Sequence, residues 1–310
     1  YRINRSLERI IAGDLNVVLA EKSTPEFAAL SDGINATVAA LKAAFLETDA
    51  RSAQENSLAK SIQASILPRS GSMFRGIPEI DCDAKLLPGQ ETGADCYSFF
   101  LSPDGRPTFL VTDISVHGMR AALFLMKFRA LVQDLMETAA SPATLFRDVN
   151  RILARERLEG VYVSAFCGQF DPKTFRLVFC DAGYLPPLYR AGGDASFRPL
   201  KQTTSPVLSG SRDATFESHE IELRPGDVFM LCSDAVIWAK DKENFFFSRD
   251  RAIRTLNAVP QGASAKKFIS SMENAMLRFI GDVPLDDDVV LFAVTRRLTP
   301  LRGEEKSPST

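Results

Sequence analysis

The stretch GADCYSFFLSPDGRPTFLVTD, residues 93–113, constrains the fold more than any other part of the chain. Two β-rich apolar runs flank Ser102-Pro103-Asp104-Gly105, a turn with proline at its second position and glycine at its fourth. The pattern predicts an antiparallel hairpin. Asp95 lies nine residues before Asp104 and Asp113 nine after it, so both carboxylates finish at the hairpin's open end. Like charges that close repel and raise one pKa. A hard divalent cation such as Mg²⁺ or Mn²⁺, which selects oxygen ligands, removes that conflict.

Other acids follow the same rule. A second hairpin is expected at Arg224-Pro225-Gly226-Asp227, whose outgoing strand VFMLCSD ends on Asp234. Near the C-terminus LDDDVVLFAV sets Asp286, Asp287 and Asp288 at the head of a final strand. Antiparallel neighbours would gather these acid positions on one sheet edge, which suggests a binuclear metal site. An isolated aspartate at a strand end is usually a turn former or a helix cap, so the combination carries the weight. Directly after Asp113, the apolar run from Met119 to about Glu137 predicts a buried helix.

Composition removes several alternatives. With 310 residues, 45% hydrophobic and 25% charged, the chain can bury a full core and hold two domains, or one domain plus an extension. A net charge of -2 and a pI near 5.9 supply no field for nucleic acid or anionic lipid, and no basic track suits a two-metal nuclease. The five cysteines lie singly in apolar segments without a C-x-x-C pair, as reduced thiols in a cytosolic setting would. Only His117 and His219 are histidines, so metal or acid-base chemistry has to rest on carboxylates. No window approaches the roughly 18 apolar residues of a membrane span.

The first residues have a different texture. Ile3, Leu7, Ile10 and Ile11 form an amphipathic helical stripe, broken at Gly13-Asp14. After an LNVVL connector, Ser23-Thr24-Pro25-Glu26 opens a second helix with a coiled-coil seam through Phe27, Leu30, Ile34, Val38, Leu41 and Phe45. Residues 34–67 contain neither glycine nor proline, so helix could extend about 50 Å at about 1.5 Å per residue before Leu67-Pro68 ends it. RIIAGDL and EFAALSDGIN resemble a HAMP linker over residues 1–47. That resemblance implies a parallel homodimeric four-helix bundle following a membrane span. The start at Tyr1 instead of methionine then suits the cytoplasmic portion of an inner-membrane protein. An ordinary amphipathic helical hairpin is the plainer alternative.

GADCYSFF, VTDISVHGMRAAL, DAGYLPPLY, LRPGDVFMLCSDAV and DDDVVLFAV, in this order, resemble the metal-dependent type 2C serine/threonine phosphatases, specifically their bacterial SpoIIE/RsbU branch. The resemblance spans residues 60–298. It implies an α+β fold, a four-layer αββα sandwich of two antiparallel sheets, here with an N-terminal all-α HAMP and coiled-coil extension. It divides the chain into a HAMP domain (1–47), a helical linker (48–68), a phosphatase domain (69–298) and a disordered tail (299–310). It also implies two Mn²⁺ or Mg²⁺ ions, with Asp95, Asp113, Asp234, Asp287 and the carbonyl of Ile114 as ligands, and Asp288 as a lesser candidate. Water activated by two such ions attacks a phosphoserine or phosphothreonine in line, without a covalent phosphoenzyme. The implied partners are a phosphorylated protein, a STAS-type anti-sigma-factor antagonist foremost, and a second copy of the chain joined through the HAMP domain and linker helix.

The departures from the branch's usual motifs fall beside these acids: Ala94, Val116 and Ala235 replace glycines, Ser98 replaces an aspartate and Tyr184 a histidine. Glycine often permits a positive φ or a close approach, so these changes could strain the turns. The competing expectation is therefore a pseudophosphatase that binds a phosphorylated partner without turnover. His117 is a polar residue at the site's edge or a structural histidine.

Overall fold

The computed structural model describes residues 53–68, 74, 76–90, 95–156, 160–200 and 205–299, with positions 18, 32, 35, 36, 38 and 39. Apart from those six positions, the HAMP expectation over residues 1–47 falls outside the described residues, as do the tail beyond residue 299 and Ala94. The chain divides into two compact units, Tyr1–Ser57 and Leu58–Thr310, and the fold below is that of the second. No helix among the described residues is long and apolar enough to cross a membrane.

Helix α1 (residues 53–66, of which 58–66 belong to this unit) stops just ahead of Pro68, because proline disfavours helical backbone in the residue before it. The remaining elements are β1 (Ile80–Leu87), β2 (Cys96–Leu101), β3 (Pro107–Ile114), α2 (Gly118–Met136), α3 (Pro142–Glu156), β4 (Val163–Asp171), β5 (Arg176–Ala182), β6 (Leu188–Arg190), β7 (Arg198–Pro199), β8 (His219–Glu222), β9 (Val228–Cys232), α4 (Asp234–Trp238), α5 (Arg249–Asn257), α6 (Ala265–Ile280) and β10 (Val289–Arg296). They build two antiparallel sheets, ordered β1-β10-β9-β6-β7 and β2-β3-β4-β5-β8.

The alternation of side chains explains the layering. Phe109, Val111, Phe166 and Phe179 project from one sheet and meet Phe229, Leu231, Val290 and Phe292 from the other. The Phe109 and Phe292 rings stack with centroids 4.4 Å apart. Gly168 makes room for this core, since a Cβ there would lie 2.3 Å from the Phe109 ring. The outward residues Leu110, Ile114 and Cys167 pack against Phe124 and Phe128 of α2 and Phe146 of α3. On the far side Met230, Val289 and Leu291 pack against Phe268, Met272 and Met276 of α6. The order is thus helices, sheet, sheet, helices. Because both faces of β3 and β10 are covered, the two strands are buried almost throughout. All five cysteines are free.

The first hairpin forms as its turn chemistry dictates. Pairing runs from Cys96↔Thr112 to Leu101↔Pro107, and the Gly105 N–H donates to the Ser102 carbonyl at 2.8 Å with Gly105 at φ 78°. The second expected hairpin does not form. Asp227 N–H does close a turn on the Arg224 carbonyl at 2.9 Å, with Gly226 at φ 87°. The strands on either side, β8 and β9, belong to different sheets. The turn is a corner that carries the chain from one layer to the other, and Asp227 braces it by accepting from Tyr189 Oη, Gly192 N and Arg224 N.

Candidate functional site

The sandwich brings the acids together at one end, but not on one sheet edge as the strand pattern suggests. Asp95 precedes β2 and Asp113 is the penultimate residue of β3, so both come from the β2-β3-β4-β5-β8 sheet. The Cys96↔Thr112 register continues to set Asp95 opposite Asp113. Asp234 and Asp287 come from the other sheet, after β9 and before β10. Ser233 joins these two segments: its N–H donates to the Val290 carbonyl at 2.9 Å, and its Oγ accepts from Val290 N at 3.0 Å. Asp234 opens α4, where an acid in the first turn is favoured by the helix dipole.

The shifts in protonation record one shared field. Burial first, and then Asp113, Asp287, Asp288 and Asp234, push the Asp95 carboxyl well above its ordinary range. Burial and then Asp234 and Asp287 push Asp113 up to about 7, partly offset by His117. Asp234 is raised by burial and by Asp287, against the N–H of Ala235. Asp95 is the more buried of the hairpin pair, and after burial the largest influences on Asp113 are the acids of the opposite sheet. The phenol of Tyr184 also lies in this field: burial, then Asp95 and Asp113, raise it, and its buried Oη has no hydrogen-bond partner. That orphaned hydroxyl can donate to a ligand held among the acids.

Asp288 has a different position. It is fully buried, and its carboxylate accepts from Gly89 N at 2.8 Å and from Gln63 Nε2 at 2.5 Å. Gln63 Nε2 also donates to the Asp95 carbonyl at 2.9 Å, so one amide on α1 ties both sides of the acid cluster. Lys60 Nζ, one turn earlier, donates to the Gly89 carbonyl at 2.8 Å. Gly89 is required there, because a Cβ would come within 2.5 Å of the Asp287 carbonyl carbon. Neither Gln63 nor Gly89 stands out as a site residue in the sequence. The signal lay in the helical stripe Ala59, Gln63, Ile66, in which a glutamine occupies a core position and has to find a buried acceptor.

The Ile114 carbonyl already accepts from the Val116 N–H at 2.8 Å, which leaves it one lone pair. His117 occupies the N-cap of α2 without a side-chain capping bond. The glycine replacements at Val116 and Ala235 carry no backbone strain: neither has a positive φ, and Ala235 lies within α4. Ser98 is buried, with Oγ 3.6 Å from Cys96 Sγ.

In chemistry the donors suit a hard divalent cation, being oxygens that share a negative field and lie beside a free buried hydroxyl. In spacing the cage is open: among the described residues no three histidine, cysteine, aspartate or glutamate side chains stand close enough together to hold an ion. Asp95, Asp113, Asp234 and Asp287 are therefore assembled at one end without being drawn into contact.

A family model described as Stage II sporulation protein E (SpoIIE) matches residues 103–297, well over half of the chain. The chain belongs to the SpoIIE family. Asp113, Asp234, Asp287 and Asp288 lie inside that match and Asp95 lies ahead of it. The phosphoserine phosphatase RsbU of Bacillus subtilis is 22% identical over 244 residues, 79% of this chain and 70% of RsbU. Protein IcfG of Synechocystis is 24% identical over 265 residues, 76% of this chain but only 40% of IcfG. The SiaA-PP2C domain of Pseudomonas aeruginosa superposes with a TM-score of 0.66 at 20% identity, covering 80% of this chain and 98% of that domain. The PP2C phosphatase domain of Bacillus subtilis SpoIIE, solved with a fragment of its regulatory domain, superposes with a TM-score of 0.59 at 15% identity, covering 70% and 63%. These superpositions identify the two-sheet fold as that of the PP2C phosphatases.

Proposed function

We propose that this SpoIIE-family chain is a metal-dependent protein phosphatase acting on phosphoserine or phosphothreonine, with Asp95, Asp113, Asp234 and Asp287 as its ion-holding residues. The observation that carries the proposal is the convergence of these acids from two sheets onto one end of a PP2C fold, where burial and neighbouring carboxylates make ionisation of Asp95, Asp113 and Asp234 costlier. Two Mn²⁺ or Mg²⁺ ions bound there would lower the pKa of a coordinated water and offset charge on the phosphoryl oxygens. The chain's residues set the geometry. Asp113 faces Asp95 across the hairpin and Asp234 and Asp287 across the sheets, so it is the acid best placed to serve both ions. The free lone pair of the Ile114 carbonyl adds a weaker donor. Asp288 is held by Gln63 and Gly89 and acts in positioning Asp287, whose Oδ1 accepts from the Asp288 N–H at 2.8 Å. The Tyr184 hydroxyl remains available to donate to a phosphoryl oxygen.

The finer reading is that the chain is the cytoplasmic output of a membrane receptor. A HAMP dimer would act through the linker helix, and the substrate would be a STAS-type antagonist. The name of RsbU as a phosphoserine phosphatase supports the substrate class. The hydrogen bonds from Lys60 and Gln63 support a route from α1 to the acids. Comparing activity with and without residues 1–60 tests that route, and equal activity in both counts against it.

The test of the activity is titration calorimetry with Mn²⁺ together with hydrolysis of p-nitrophenyl phosphate. Saturable binding and turnover, both lost in Asp113→Asn and Asp234→Asn, are expected. The open spacing of the acids favours one alternative, a module that binds a phosphorylated partner without hydrolysing it. Mn²⁺ binding without turnover would support that alternative.

A further inference from the structure

Next to the acid cluster lies a hollow of about 460 Å³, between the segment that follows α4 and the one that follows α6. Trp238, Phe246, Ile280, Val283 and Leu285 form its walls, and Asp287 stands at one end. Single exposed apolar residues are ordinary, but contiguous ones mark contact surfaces. Here Trp238 is 55% exposed, Phe246 43% and the adjoining Phe245 67%.

The aromatic wall is built firmly. Lys240 and Phe246 form an antiparallel bridge, Phe247 N donates to the Ala239 carbonyl at 2.8 Å, and Ser248 N donates to the Ile237 carbonyl at 3.1 Å. Asn244, at φ 64°, turns the tip, and Asp241 Oδ1 accepts from Glu243 N and Phe245 N. This small hairpin holds Phe246 edge-on against Trp238, with ring centroids 5.2 Å apart.

The rim charge narrows what can enter. Asp241, Asp286 and Asp287 line the hollow, and its lysine, Lys240, is 3.5 Å from Asp286. An acidic side chain is therefore repelled, while an apolar one finds aromatic and aliphatic walls. Asp287 belongs both to the hollow and to the acid cluster, so whatever is processed at the acids passes directly beside the hollow.

We propose that this hollow is a substrate-docking subsite, which takes a large apolar side chain from the phosphoprotein on a segment poor in acids. An extended chain advances about 3.3 Å per residue, so an anchor about three residues from the phosphoserine would stand about 10 Å from it. The inference rests on the phosphatase reading and adds to it the local chemistry of the substrate.

The chain has a single tryptophan, Trp238, so its emission reports on the subsite directly. In Mn²⁺ buffer, two unphosphorylated serine peptides are titrated that differ only in leucine or alanine three residues to either side of the serine. The expected result is a saturable change in emission with the leucine peptide and binding about tenfold weaker with alanine. Phe246→Ala should weaken the leucine peptide toward the alanine value, and the phosphorylated pair should show the same preference in kcat/KM. The comparison of peptides on the unaltered chain stands even if the variant fails to fold. Emission that ignores both peptides, or responds to both equally, while p-nitrophenyl phosphate is hydrolysed, overturns the subsite and leaves the phosphatase standing. A response selective for leucine without any p-nitrophenyl phosphate turnover supports the subsite and overturns the phosphatase reading.

Discussion

Replacing Asp113 by asparagine should stabilise the metal-free protein while destroying its chemistry. In the fold, burial and the facing acids raise this carboxyl from 3.8 to about 7. The folded-state pKa lies above the unfolded one, so the folded chain holds a proton between about pH 4 and pH 7 that the unfolded chain has released. Folding stability from this group is therefore largest at and below about pH 4, falls as pH rises through the window, and is flat above about pH 7. At about 1.4 kcal/mol per unit, the ionised group costs the fold up to about 4 kcal/mol at pH 8. Relaxation and water reduce the expected effect to about 1–3 kcal/mol. Asparagine keeps the shape and removes the charge. Thermal unfolding in EDTA at pH 8 should thus show Asp113→Asn melting about 2–10 °C above the native chain, with the gap narrowing toward pH 5. Saturating Mn²⁺ should reverse the order, because only the native chain gains the binding free energy. An asparagine variant less stable than the native chain in EDTA, or a gap the same at pH 5 and pH 8, would refute the charge-crowding argument.

Gly89→Ala should place a methyl group against the Asp287 backbone, costing about 1–3 kcal/mol by denaturant unfolding and depressing Mn²⁺ affinity along with it. Tyr184→Phe loses no hydrogen bond, so urea midpoints should agree within about 0.5 kcal/mol while kcat falls if the hydroxyl serves the phosphoryl group. Phe292→Ala removes a ring stacked on Phe109 between the sheets and should cost about 3–5 kcal/mol, with no effect specific to metal binding at the stability that remains.

What the sequence reveals of this fold depends on whether the determining chemistry is local. The 102–105 turn carries its own instructions in proline and glycine, and the register that follows from it sets Asp95 opposite Asp113. The turn at 224–227 has equally clear chemistry, yet it makes a corner between layers. Nothing within those residues says whether the next strand will pair with β8 or with β10 on the other sheet. The same gap hid the true origin of the acids, two from each sheet. Gln63 was hidden by distance: its partner Asp288 is 225 residues away, and only burial of that amide in the α1 stripe hinted at an acceptor. The glycine replacements at Val116 and Ala235 suggested strain that the backbone does not carry, since one φ is ordinary and the other helical.

Carboxylates from both sheets are expected to close around divalent ions. Anomalous diffraction from crystals grown with Mn²⁺ tests it most directly. The expected result is anomalous peaks between the hairpin end and the β9 and β10 ends, within ligand distance of Asp113, Asp234 and Asp287. Mn²⁺ bound elsewhere, or no peak at millimolar Mn²⁺ with the four carboxylates still apart, would contradict it.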